Sequence, residues 1–346
     1  RIGMNQSSFN KRLPTNKMCS FSALFGIRQG RLKKSVWPYD DLRQIERLER
    51  WTMPMAIVFV LCAAMLWGTT GTAQAFLIGA HPLVVGAARL LLGGMSLLMF
   101  AILTGKSLNI KGWPKWPFFV SIAAMAAYQP FFFTAVSMTG VAAGTVIAIG
   151  SAPIVAGLLE WAFFKRVPGK RWMQATALAI AGCVLLMTAG DQSVVVSPLG
   201  VLFAIGAGLS FAAYTLASKG LLAKGEPEVV VAFIFSFSAI VLLPTFFLFE
   251  VSWLLHWQNG LVVLHLGLLA TGLAYMLFAK GLKEIPGSLA VTLALAEPLT
   301  AALLGVSLVG ESLSFYSWGG IALLLLGLLL ASIAPKQTQS KRSISQ

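Results

Sequence analysis

The sequence predicts an all-α integral membrane protein: ten transmembrane helices, arranged as two inverted five-helix repeats around a central cavity. Three observations predict it. The chain is 57% apolar and only 11% charged, with a mean hydropathy of +0.80, whereas soluble domains carry roughly 25% charged residues. Ten apolar runs are each long enough to cross a bilayer core of about 30 Å. A proline-centred pattern recurs 145 residues apart, at Pro153 in Ile149-Gly150-Ser151-Ala152-Pro153 and at Pro298 in Leu295-Ala296-Glu297-Pro298-Leu299.

Residues 1–52 are polar, hold eleven lysines and arginines, and contain no spanning run. They read as a basic cytoplasmic tail lying on anionic lipid, or as an upstream extension of a working protein that starts near Met53. No apolar core stands near the start, so the segment does not read as a signal peptide. The spans follow at 54–76, 82–103, 118–138, 141–164 and 172–189, then at 198–217, 229–249, 260–279, 287–309 and 315–334. Short connections marked by glycine or proline separate several of them. The first repeat is expected over 53–190, the second over 191–334, with a polar tail at 335–346.

Charge sets the orientation. With the N-terminus in the cytoplasm, the inside segments hold 25 of the 26 lysines and arginines, while the outer connections carry Asp191, Glu250 and Glu311. This is the positive-inside pattern. It places both termini inside, and it assigns the net charge of +14 to the membrane rather than to a nucleic acid.

Sliding the chain by 145 lays Phe133 on Phe278, Val146 on Val291, Pro153 on Pro298 and Gly182 on Gly327. An odd number of spans per half forces the halves to enter the membrane in opposite directions. Arg166, inside, then corresponds to Glu311, outside, as the charge rule requires. Inverted repeats are an architecture of secondary transporters.

Several strings in this order resemble the EamA-type exporters of the drug/metabolite transporter superfamily. They are Leu66-Trp67-Gly68-Thr69-Thr70, Ala88-Arg89-Leu90-Leu91, Ala296-Glu297-Pro298, Gly310-Glu311-Ser312-Leu313 and the glycines from 319 to 327. The resemblance covers roughly 55–333. It implies a ten-helix carrier in the plasma (bacterial inner) membrane that exports a small polar metabolite by alternating access, an amino acid or related amine. The alternatives are a multidrug or other metabolite carrier of the same fold, or a non-transporting membrane sensor or scaffold. Many relatives carry an acid just after the fourth span, where this chain has Lys165-Arg166.

Candidate chemistry lies with the few polar groups at membrane depth, which are expensive to keep there. Glu297 can exchange a proton or bind an ammonium group, and the carbonyl freed by Pro298 is a further acceptor for a cation. It can equally be a packing acid at a proline kink. Arg89 can hold a substrate carboxylate bidentately or pair with an acid to join helices. Glu160, near the inner end of the fourth span, is expected to pair with Lys165. Trp67, Tyr128, Gln129, Tyr214 and Tyr275 lie well inside their spans, and either line the path or pack. Pro153 and Pro298 are expected helix breaks. Trp113, Trp172, Trp253 and Trp257, with other tryptophans at span ends, read as interfacial anchors. Glycines 140–144 and 200–208 allow close helix approach.

No cofactor and no metal site is expected: Cys19, Cys62 and Cys183 are scattered, and His81, His256 and His265 form no ligand spacing. There is no phosphate-binding loop for ATP and no cluster of the kind a membrane enzyme uses. The expected partners are a small-molecule substrate, with or without proton coupling, and the lipid bilayer.

Overall fold

The computed structural model describes residues 39–74, 76–139, 141–165, 167–188, 197–309 and 314–333. The chain divides into two units, Arg1–Leu48 and Glu49–Gln346. The tails, Arg166, Asp191 and Glu311 lie outside the described residues, and with them the expected exchange of Arg166 for Glu311.

The described part is helical. The helices are α1 Tyr39–Gln74, whose apolar part is Thr52–Gln74, α2 Pro82–Leu103, α3 Lys115–Thr139, α4 Val141–Phe164 and α5 Lys170–Thr188. The second set is α6 Pro198–Leu222, α7 Pro227–Leu242, α8 Trp257–Glu284, α9 in the pieces Gly287–Leu293 and Ala296–Leu304, and α10 Phe315–Ser332. Pro82 and Pro227, 145 apart, both stand in the first turn of their helices, where the missing N–H costs nothing. Ser197 and Ser314 cap α6 and α10, accepting from Gly200 N at 3.4 Å and Ser317 N at 3.2 Å.

Among the described residues, nine of these helices hold a stretch long and apolar enough to span a bilayer. The tenth, α5, is a 19-residue helix that opens on Lys170-Arg171 and carries Gln174 and Thr176 before its apolar run. It packs along α10 instead of standing alone. Lipid gives helices no hydrophobic reason to associate, so close packing through small residues does that work. Gly208 brings α6 against Ala148 O of α4, where a Cβ would sit at 2.7 Å, and Gly281 brings α8 against Ala56 O of α1, at 2.5 Å.

The helix pairs repeat under the exchange of each helix with the one five places on. α3 packs on α6 as α8 packs on α1, and α4 meets α6 as α9 meets α1. α2 touches α8 as α7 touches α3, while α2–α7 and α5–α10 are their own counterparts. Two five-helix units related by a two-fold relationship produce this set.

The lysine-bearing end is closed by polar contacts. Lys219 Nζ donates to Leu282 O at 2.8 Å and to Ile285 O, capping the end of α8. Lys280 pairs with the buried Glu228 at 2.9 Å. At the opposite end, Asn259 Nδ2 donates to Ile78 O at 3.2 Å and to Trp253 O at 2.8 Å. Trp253 is buried, and Trp113 packs on Phe118 and Phe233. Trp172 fills the space beside Gly157. Trp113 and Trp172 are half-buried, so all three tryptophans take part in packing. Trp257 is exposed.

Candidate functional site

The site is built on the interruption of α9. The helix stops at Leu293, turns through Ala294-Leu295 and restarts at Ala296, so Glu297 lies in the first turn of a new half-helix. Pro298 is the cause: it has no N–H for Ala294 O. That carbonyl accepts instead from Glu297 N at 2.9 Å, and Leu295 N turns to Thr292 O at 3.1 Å. The expected free acceptor is therefore already engaged by the backbone. Pro153 behaves differently, since α4 runs through it without interruption.

The inner piece of α9 is pinned. Ser288 donates to the buried Glu160 of α4, and Thr292 and Thr176 of α5 share a hydrogen bond of 3.0 Å. Glu160 thus faces α9 rather than Lys165, because Ser288 offers a donor inside the bundle whereas Lys165 ends α4 in a left-handed turn at φ 54°.

Glu297 is half-buried and, among the described residues, its carboxylate has neither a hydrogen bond nor an ion pair. Arg89, Tyr128 and Tyr275 lie within electrostatic range of it. Arg89 is 9% exposed, and its Nε donates to Thr271 Oγ1 at 3.1 Å. Thr271 belongs to a π-helical stretch of α8, His265–Leu273, a form that collects at functional sites. Gly93 makes the bond reachable: a Cβ there would lie 2.6 Å from Thr271 Cγ2. Arg89 and Glu297 thus interact electrostatically without forming an ion pair.

The aromatic residues converge around them. Trp67 lies 4.7 Å from Tyr275, 5.2 Å from Phe278 and 5.8 Å from Phe211, centroid to centroid. Trp67 and Phe211 occupy matching places in the two halves, 144 residues apart, so the cluster sits where the halves meet. Phe211 also reaches Tyr128 at 6.4 Å, and Tyr214 lies 5.8 Å from Tyr275. Tyr214 itself is sealed in the core. Gln129 is buried against Gly86, one turn before Arg89 on α2; a Cβ on Gly86 would meet its Oε1 at 2.7 Å. Ring contacts thus join Trp67, Phe211, Tyr128, Tyr214 and Tyr275, and Glu297 and Arg89 act electrostatically on Tyr128 and Tyr275. Sequence reasoning missed Thr271, Thr176 and Ser288, which look like ordinary small polar residues until the helices are assembled.

A pair of inverted five-helix units enclosing unneutralised charges at membrane depth defines a membrane carrier. The EamA-like transporter family model matches twice, at 54–188 and 198–333, and the chain belongs to that family. It is 52% identical over 285 residues to a Bacillus subtilis (strain 168) protein named as the uncharacterized transporter YwfM, covering 82% of this chain and 95% of the relative. It is 27% identical over 282 residues to the threonine/homoserine exporter RhtA of Escherichia coli (strain K12), covering 81% of this chain and 90% of that one. A solved crystal structure at 23% identity superposes with a TM-score of 0.70, covering 80% of this chain and 96% of the other, and supports the fold.

Proposed function

We propose that the chain exports a small polar metabolite, an amino acid or related amine, across the bacterial cytoplasmic membrane by alternating access, with both termini in the cytoplasm. The observation that carries this reading is the separation of Arg89 from Glu297. A base and an acid held apart in an apolar bundle suit a cargo that bears both charges: its carboxylate pairs with Arg89 and its ammonium with Glu297. Thr271 keeps the guanidinium from collapsing onto the acid. The name of the RhtA relative supports the same cargo class.

Glu297 binds a proton or the cargo, not both, so release of cargo frees the carboxylate for a proton and gives an exchange cycle. Facilitated diffusion is the outcome if the carboxylate stays ionised throughout. Single occupancy of the deep acid site argues for small cargo over large lipophilic cations. Reconstitution into proteoliposomes with a panel of labelled amino acids and a pH-sensitive dye tests the proposal. Saturable flux of one or more of them is the expected result; flux equal to that of empty vesicles for every cargo contradicts it.

A further inference from the structure

Two polar atoms on α1 are buried without a partner among the described residues: Trp67 Nε1 and Thr70 Oγ1. They stand three residues apart, one above the other on the same face of the helix. Trp67 is 5% exposed, and the rings of Tyr275, Phe278 and Phe211 surround it. No group in this cluster accepts from the indole N–H. Buried polar groups are nearly always paired, and leaving one unpaired costs most of its desolvation penalty.

Their place on α1 matters. Gly68, between them, lets the α1 backbone abut the first turn of the outer α9 piece: a Cβ there would lie 2.7 Å from Glu297 O and 2.6 Å from Thr300 Cβ. The unpaired donor and the unpaired hydroxyl therefore flank the point at which α1 touches the Glu297 turn. A packing tryptophan needs no such neighbour. A donor that waits for something entering beside Glu297 does.

We propose that Trp67 Nε1–H and Thr70 Oγ1 are ligand-binding groups that hold an oxygen acceptor of the cargo when the carrier is loaded. The inference rests on the transport reading above and extends it, adding a neutral recognition strip beside the charged pair. The oxygen belongs either to the cargo's carboxylate or to a side-chain hydroxyl. Binding moves the N–H from an unsatisfied to a satisfied state, and the empty carrier is the strained form.

The test replaces Trp67 with β-(3-benzothienyl)alanine, which keeps the ring shape and deletes the N–H. Unfolding of the empty carrier in nanodiscs should rise by about 2 °C, because an unpaired donor is gone. In the unsubstituted protein, the indole N–H resonance assigned by that replacement should move on addition of cargo, with threonine and valine compared. Equal movement assigns the carboxylate, and movement with threonine alone assigns the hydroxyl. The half-saturation concentration for a transported amino acid should rise about tenfold in the replaced protein. A lower unfolding temperature overturns the proposal, since the N–H would then be bonded in the empty fold. So does an unmoved resonance in a protein that does transport the amino acid. Vesicles that carry none of the panel, with an unmoved resonance, sink the transport reading and this inference with it.

Discussion

Gly182 on α5 and Gly327 on α10 make the same contact in opposite directions. A Cβ on Gly182 would meet Gly320 O at 2.7 Å and Leu324 N; one on Gly327 would meet Ala175 O at 2.8 Å and Ala179 N at 2.6 Å. Gly320 and Leu324 follow Ala175 and Ala179 by 145 residues, the spacing that also separates the two glycines. One displacement along the chain therefore exchanges the two sets of contacts. Side chains cannot enter here, because the obstacle on each side is backbone.

Gly327→Val should consequently prevent α5 from closing on α10. Overpacking typically costs about 1–3 kcal/mol, and an obstacle made of backbone puts this case at the upper end. The protein should unfold several degrees lower or fail to purify as a single species. Gly319→Ala is the matched control, since its new methyl would lie at an ordinary 3.6 Å from Leu185 Cδ2. Thermal unfolding in detergent compares the two, and equal stability of both variants contradicts the packing argument.

Ser288→Ala removes the donor to the buried Glu160. A buried acceptor left unpaired costs about 1–3 kcal/mol. The expected drop in unfolding temperature should be reversed when Glu160→Leu is added, because the orphaned carboxylate is then gone. An additive further loss in the double variant would show that Ser288 and Glu160 act separately.

Thr271→Val keeps shape and volume but frees Arg89 Nε. The guanidinium is then at liberty to pair with Glu297, which would occupy both charged groups. Flux should fall by about tenfold or more with the protein still folded, while Thr271→Ser retains the hydroxyl and most of the flux. Full activity of Thr271→Val removes Thr271 from the site.

Orientation is open to a direct check. Single thiols introduced at Asp191 and Lys224 should label from outside and inside the cell respectively with an impermeant maleimide. Reversed labelling contradicts the placement of the termini.

Much of the fold was legible because membrane helices announce themselves by length and composition. The repeat was legible because Pro153/Pro298 and Gly182/Gly327 are residue types with backbone consequences. The apolar centre of α5 is legible as a span, whereas its partnership with α10 is a tertiary fact. Pro153 and Pro298 look alike in sequence. Only the second interrupts its helix, where Thr292, Ala294 and Glu297 re-pair the backbone around it. The convergence of Trp67, Tyr128 and Tyr275 near Glu297 follows from depth along each span, which the sequence carries. The Arg89–Thr271 bond depends on a π-helical register in α8, and residue type alone does not carry that. Trp113 and Trp253 stand at span ends in the sequence, and their packing against Phe118, Phe233 and the Val84 cluster shows only once the helices are assembled.

The central claim is that cargo crosses the membrane beside Glu297. Its most direct test is flux through proteoliposomes of wild type and Glu297→Gln, each measured across a range of imposed pH gradients, with insertion and folding verified for both. The account predicts that the glutamine carrier is folded and inserted but passes no cargo, or passes it with no response to pH. Wild-type flux at every pH in Glu297→Gln would contradict it.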